Sequence, residues 1–98
     1  MGITMNLEKS KKRIAKKAKM GFQGYPKISI AYLGRSENKA DEVVLTFLAD
    51  EKSQSMEERF QCGSDAREDE AIQSAIVKMI ERSEAKTVVL LEGVELKS

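Results

Sequence analysis

Residues 64–83, SDAREDEAIQSAIVKMIERS, decide the fold because they carry the clearest periodic signal in the chain. Their apolar side chains recur at the three- and four-residue spacing that places them on one face of an α-helix. These side chains are Ile72, Ala75, Ile76, Met79 and Ile80. Asp65 and Glu68 have the spacing of a capping box, and Lys78 and Arg82 lie in the last turns, where the helix dipole favours cations. The segment therefore predicts an amphipathic helix that covers one face of a sheet.

Three segments upstream of this helix have the two-residue period of β-strands. Residues 27–34, KISIAYLG, put Ile28, Ile30 and Tyr32 on one face. Residues 43–49 alternate in the same way, with Val43, Leu45, Phe47 and Ala49 on one face and Val44, Thr46 and Leu48 on the other. Residues 56–62 read as an edge strand, with Met56, Glu58, Phe60 and Cys62 on one face and the rest toward water. The apolar run TVVLLEG at 87–93 predicts a fourth strand.

Residues 7–20 predict another amphipathic helix, the most basic part of the chain. Its thin apolar stripe consists of Leu7, Ile14, Ala15 and Ala18, opposite Lys9, Lys12, Lys16 and Lys19. Gly21 suits the left-handed residue that follows a helix, and Pro26 prevents the helix from resuming. Residues 1–19 carry seven basic side chains and one acidic, a charge of +6, whereas residues 20–98 carry ten and fifteen, a charge of −5. The net charge of +1 is therefore the sum of a basic N-terminal segment and an acidic remainder, which we call the acidic body.

The order α-β-β-β-α-β predicts an α+β two-layer sandwich, with an antiparallel three-stranded meander and a fourth strand after the second helix. We expect residues 1–5 to be a leader or disordered start and residues 6–98 to form a single α+β domain, since 98 residues support only one core. Leu33, Val44 and Leu48 lie on the sheet face opposite the second helix. Either the first helix or a second copy of the protein must cover that face.

The composition excludes several classes of protein. Apolar residues make up 41% of the chain, but no run approaches the ~20 residues of a membrane span, so we expect no membrane partner. The single cysteine, Cys62, permits no internal disulfide, which favours a cytoplasmic location. With no histidine, Ser–His and Cys–His nucleophiles and the usual zinc ligand sets are absent.

The remaining chemical groups favour a binding protein over an enzyme. Cys62 shares a predicted buried face with Phe60, which favours a core residue over a nucleophile. Asp65, Glu68 and Asp69 could hold a magnesium ion, but acids at a helix start have a structural explanation. The first strand has no acid for a two-metal nuclease, and no phosphate-binding glycine loop is present. We therefore predict no catalytic residue, no cofactor and no metal.

The α-β-β-β-α order is also that of double-stranded RNA-binding domains, but the acids at the start of the second helix would repel phosphates there. Any nucleic-acid contact must use the first helix, where the candidate residues are Lys9, Lys12, Arg13, Lys16 and Lys19. Lysines on one exposed face bind phosphates with little sequence preference. The apolar face of this helix is mostly alanine, so it lacks the large side chains that anchor a helix on a membrane surface.

Two segments resemble a family of small, uncharacterised bacterial proteins that share GYP-x-x-x-IAY-x-G and D-x-R-x-D-x-x-I patterns. The matching residues are Gly24, Tyr25, Pro26, Ile30, Ala31, Tyr32, Gly34, Asp65, Arg67, Asp69 and Ile72. The resemblance implies a shared fold and no particular activity. Many members of the family continue into a Cys- and His-rich tail that does not follow the last predicted strand in this sequence, so no metal role is carried over. Within these segments Tyr25, Tyr32 and Arg67 are candidate interaction residues, and Arg67 can pair with Asp65 or with Asp69.

Two hypotheses follow from the sequence. The first is a non-catalytic interaction module that binds a protein partner or forms a homodimer through the sheet face. The second is a nucleic-acid-associated protein that binds phosphates non-specifically through the basic first helix.

Overall fold

The computed structural model describes the backbone of residues 2–96 and side-chain burial for residues 7–91 and 93–96. The chain is α+β, as the sequence predicts, with one 3₁₀ turn added before the second helix. The elements are α1 (Gly2–Lys19), β1 (Lys27–Gly34), β2 (Glu42–Leu48), β3 (Met56–Gln61), the 3₁₀ turn (Ala66–Glu68), α2 (Glu70–Ser83) and β4 (Thr87–Leu96). Helix α1 thus begins earlier than the predicted residue 7. Of the predicted leader, Met1 lies outside the described residues. None of the described helices is long and apolar enough to cross a membrane.

The four strands form one mixed sheet in the order β3-β2-β1-β4. β2 pairs antiparallel with both β1 and β3, whereas β4 pairs parallel to β1. The parallel pairing follows from α2, which carries the chain back across the sheet before β4 begins. The register of β4 against β1 shifts between Ile30 and Tyr32, where extra residues of β4 form a bulge.

The core lies on one face of this sheet, as the alternation predicts. Ile30 faces Leu45 across the β1–β2 pair, and Tyr32 faces Val43. Helix α2 covers these residues with its own apolar stripe, and Ile76 is completely buried. Burial of this many branched apolar side chains is the main favourable term in the folding of a domain this small.

Helix α1 packs on the same face of the sheet as α2, beside β4. Ile14 is only 2% exposed and belongs to the same core cluster as Ile30 and Ile76. Arg13 of α1 also pairs with Glu81 of α2, with Nη1 and Oε2 2.8 Å apart. The expectation that the first helix could cover the second sheet face is therefore wrong. The narrow apolar stripe of α1 is already buried against α2 and β4, so it has no apolar surface left for the other face. The ion pairs of its basic side chains with residues of the acidic body hold it on the same face as α2.

The start of α2 differs from the predicted capping box. Asp69 is the N-cap of α2, because its side chain accepts from the backbone N–H of Ile72. Asp65 instead caps the 3₁₀ turn by accepting from the backbone N–H of Arg67. Two caps four residues apart let the chain make a short turn and then re-start as a helix, so the single box predicted at Asp65 and Glu68 is wrong.

Candidate functional site: a basic cleft beside helix α1

An open cleft lies between α1, the end of β1, the 3₁₀ turn and β4. It consists of two adjoining depressions of about 670 and 720 Å³. Both are lined by Lys12, Ala15, Tyr32, Arg67 and Leu90; one adds Lys16, Ala18, Lys19, Leu91 and Gly93, and the other adds Glu8, Lys11, Ile14, Glu68 and Gln73. We call this surface the basic cleft.

One wall of the basic cleft is formed by three lysines of α1. Lys12, Lys16 and Lys19 follow one another at four and three residues, so they span about 10 Å along the helix axis. The docking of Ile14 sets the rotation of the helix, and the small side chains of Ala15 and Ala18 leave room between this wall and β4. Among the residues that the structure describes, no carboxylate forms an ion pair with these three lysines.

Lys11 and Glu68 close one end of the cleft. Lys11 Nζ lies 2.8 Å from Glu68 Oε2, and this hydrogen bond raises the pKa of Lys11. Together with Arg13–Glu81, this pair ties α1 to the 3₁₀ turn and to α2. Both pairs are solvent-exposed, so each contributes at most about 1 kcal/mol and serves mainly to set the orientation of α1.

Arg67 enters the cleft as a side chain that is held in one position. Its Nε and Nη2 donate to Oδ1 and Oδ2 of Asp65 at 2.9 and 2.7 Å, and Nη2 also donates to the Asn38 carbonyl at 3.3 Å. The guanidinium of Arg67 lowers the pKa of Asp65, and the carboxylate raises the pKa of Arg67 in return. None of the described residues accepts a hydrogen bond from Nη1, and Arg67 lines both depressions of the cleft. Of the two partners considered from the sequence, Asp65 is the one used.

The floor of the cleft is a buried pair of polar side chains. Gln73 Nε2 donates to the hydroxyl of Tyr32 at 2.8 Å and to the Ala66 carbonyl at 3.0 Å. Burial raises the pKa of Tyr32, so its hydroxyl stays protonated at neutral pH. The hydroxyl accepts from Gln73, and none of the side chains described at 7–91 and 93–96 accepts its proton. Tyr32 therefore adds a hydrogen-bond donor to a cavity that already holds lysines and an arginine.

The structure brings together some of the site residues predicted from sequence and separates the others. Lys12, Lys16, Lys19, Tyr32 and Arg67, from both candidate sets, line the same cleft.

The other candidates lie elsewhere. Arg13 is paired with Glu81, and Lys9 is exposed but does not line the cleft. Tyr25 lies before β1, at the end opposite Tyr32, where its ring meets that of Phe22 edge-on at a centroid distance of 5.4 Å.

Sequence reasoning missed Gln73 and Leu90. Gln73 is 2% exposed and lies on the apolar stripe of α2, three residues before Ile76. A polar side chain on the buried stripe of a helix was the available signal, because such a group must have a buried hydrogen-bond partner. Leu90 carried no signal beyond its place in an apolar strand.

Cys62 and the acids near it are used structurally. The Cys62 thiol donates to Asp69 Oδ2 at 3.2 Å, and this bond is the main cause of the lowered pKa of Asp69. Cys62 follows β3 and is partly buried against the core. Within the described part of the chain, no group of three His, Cys, Asp or Glu side chains is arranged to hold a metal ion.

No protein-family model, curated protein or solved structure matches this chain. The resemblance carried by the GYP and DAR segments therefore stays a prediction.

Proposed function

We propose that the protein is a non-catalytic, cytoplasmic nucleic-acid-binding module that holds a phosphate backbone in the basic cleft. One observation carries this proposal: docking of α1 places Lys12, Lys16 and Lys19 along a concave surface that Arg67 and Tyr32 complete. On a free helix the lysines would be an ordinary solvated face. Glu8 and Glu68 lie at the end of the cleft where Lys11 is found, whereas the depression lined by Lys16 and Lys19 has no acidic lining residue among those described. Lysines along a concave surface concentrate their field and attract a polyanion more strongly than the same charges do on a convex surface.

The donors of the cleft suit phosphate oxygens. Lysine ammonium groups attract phosphates as point charges, whereas the fixed guanidinium of Arg67 and the hydroxyl of Tyr32 can direct hydrogen bonds to individual oxygens. The described residues of the cleft present no aromatic ring face on which a base can stack, since Tyr32 is buried. Such contacts hold the backbone and do not read sequence, so we expect binding with little base preference.

The acids at the start of α2 are less of an obstacle than the sequence suggests. Asp65 is neutralised by Arg67 and Glu68 by Lys11, and Asp69 is engaged by Cys62 and the backbone of α2. The phosphates would meet α1 and the 3₁₀ turn, which differs from the second-helix contact of a double-stranded RNA-binding domain.

The test is a fluorescence-anisotropy titration with labelled 20-nucleotide DNA and RNA, each single-stranded and duplex, at 50 and 200 mM salt. Three neutralised phosphates give a salt slope of about −2.7 on a duplex, so the affinity of the wild type should fall by about 40-fold between the two salt concentrations. The cleft variant Lys12→Glu, Lys16→Glu, Lys19→Glu should lose binding at 50 mM salt. Tyr32→Phe removes one donor and should weaken binding by about fivefold.

The matched control changes the same number of charges away from the cleft. Lys52, Lys78 and Lys86 are exposed and do not line the cleft, so their replacement by Glu alters the net charge equally. This control should bind within a few-fold of the wild type. Equal loss in both triple variants would show that only net charge matters, and the absence of wild-type binding at 50 mM salt would end the proposal.

A further inference from the structure

The face of the sheet opposite α1 and α2 carries no helix in the described part of the chain, and we call it the open face. The strand register arranges its side chains in rows across the sheet. The rows are Lys27 with Leu48 and Thr87; Ser29 with Thr46, Glu57 and Val89; Ala31 with Val44 and Arg59; and Leu33 with Glu42, Gln61 and Glu95. The centre of the face is apolar or uncharged, and the charged side chains lie at its β3 edge and at the two ends. A two-fold interface uses the same patch on both copies, so unlike charges must lie at positions that the axis exchanges.

We propose that two copies of the chain pair through their open faces, sheet on sheet, about a two-fold axis that runs across the strands at the level of Ile30. This inference concerns a different surface from the basic cleft and does not depend on nucleic-acid binding.

The charges at the β3 edge favour this axis. Rotation about it exchanges the rows of Ser29 and Ala31, so Glu57 of one copy comes opposite Arg59 of the other, and the reverse contact forms by symmetry. Within one copy Arg59 pairs with Glu42 at 3.1 Å and lies 3.6 Å from Glu57. The two edge strands would therefore place each Arg59 between Glu57 of its own copy and Glu57 of the other, while Glu42 stays paired from behind.

The charges at the ends of the open face agree with the same axis. The rotation lays the row of Lys27 over the row of Leu33, so Lys27 of one copy reaches Glu95 of the other. Leu48 comes opposite Glu42, whose carboxylate keeps its partner Arg59 within its own copy. Within one copy Lys27 and Glu95 are six positions apart along the strands, which is about 20 Å. They can therefore pair only between copies.

A two-fold axis parallel to the strands fits less well. It would bring β3 of one copy over β4 of the other and set Glu57 against Val89, which desolvates a charge without a partner. Both axes keep the strands of the two sheets within the alignment of about 30° that sandwiches show, so the charges and not the strand angle favour the axis across the strands.

The size of the face sets the expected strength of the dimer. Four strands and seven residues measure roughly 19 by 23 Å, or about 440 Å² on each copy, which is smaller than a stable interface and typical of weak, transient ones. We therefore expect association in the micromolar range. In the dimer the two basic clefts would lie on opposite outer sides.

The experiment is sedimentation velocity of the full chain from 5 to 200 µM, with circular dichroism of each variant to confirm folding. The wild type should convert from monomer to dimer in this range. Ala31→Glu places a charge in the centre of the open face and should abolish the dimer. Met56→Glu is the matched control, because Met56 is 67% exposed and points to the helix side of the sheet, so this variant should associate like the wild type.

A charge exchange tests the axis itself. Lys27→Glu and Glu95→Lys should each weaken the dimer about tenfold, and the double variant should restore wild-type association, since the distance within one copy excludes an intramolecular rescue. A wild type that stays monomeric at 200 µM, an Ala31→Glu dimer, or a double variant that fails to recover would each overturn the proposal.

Discussion

Leu45 and Leu48 lie three residues apart on β2 but on different faces of the sheet. Leu45 is 2% exposed beneath α2, whereas Leu48 is only partly buried on the open face. On β1 and β2 every covered-face position from Ile28 to Tyr32 and from Val43 to Phe47 carries a large apolar or aromatic side chain, while on the open face Ser29 and Thr46 interrupt the apolar positions. The covered face therefore supplies the stability of the monomer. The mixed composition of the open face is that expected for the reversible self-association proposed above.

The largest effect is expected from truncating the same residue type on the two faces. Leu45→Ala removes a buried side chain and leaves a cavity, so it should lower the free energy of unfolding by about 2 to 5 kcal/mol. Leu48→Ala loses only part of a side chain's burial and should cost about 1 kcal/mol. Urea denaturation at 2 µM protein, where association is negligible, measures both. Similar losses from the two variants would mean that the open face is covered in the monomer.

Substitutions of one polar side chain on each face are expected to change the free energy of unfolding by intermediate amounts. Gln73→Leu leaves the buried Tyr32 hydroxyl and the Ala66 carbonyl without their donor, which should cost about 1 to 3 kcal/mol. Thr46→Val on the open face should change the free energy of unfolding by no more than about 0.5 kcal/mol. Thermal denaturation followed by circular dichroism compares the two.

Tyr32→Phe is the control for the first substitution, since it removes one partner of Gln73 and keeps the ring in the core. It should fall between the wild type and Gln73→Leu. If Thr46→Val destabilised the protein as much as Gln73→Leu does, the assignment of the polar network to the covered face would be wrong.

The smallest effect is expected from pH, through the ion pair that orders the 3₁₀ turn beside the covered face. Because Arg67 lowers the pKa of Asp65 in the folded state, the charged carboxylate stabilises the fold at every pH above its unfolded value of about 4. This contribution is lost as the pH falls through the lowered pKa. Stability should therefore be flat from pH 5 to 8 and decline below about pH 4.

Asp65→Asn is the matched variant, because the amide keeps the cap but cannot titrate. It should be less stable than the wild type at pH 7 and lose less on acidification, as measured by urea denaturation at pH 7 and pH 3. Parallel pH curves for the two proteins would show that Asp65 has the same pKa in the folded and unfolded chains.

Periodicity predicted the elements that depend on local pattern. The stripe from Ile72 to Ile80 and the alternation of Ile28, Ile30 and Tyr32 appear as predicted, because burial of one face follows directly from spacing. The cap of α2 was misplaced, since Asp65 and Asp69 both have cap chemistry and only the 3₁₀ turn between them shows which one begins the helix.

The sequence predicted residues of the candidate site separately, but it did not predict that they lie together. The spacing of Lys12, Lys16 and Lys19 indicated a basic helix face, and the DAR segment drew attention to Arg67. Their convergence on one cleft required the rotation of α1 about Ile14, which depends on contacts with α2 and β4 far away in the chain.

The amino-acid sequence by itself determined the class of the fold, which face of each strand is buried, and the concentration of positive charge in the N-terminal helix. These properties depend on residues that are only a few positions apart. Only the tertiary structure decided that both helices share one side of the sheet. That choice depends on which apolar stripe finds a partner over long sequence distances, and it creates the basic cleft on one side and the open face on the other.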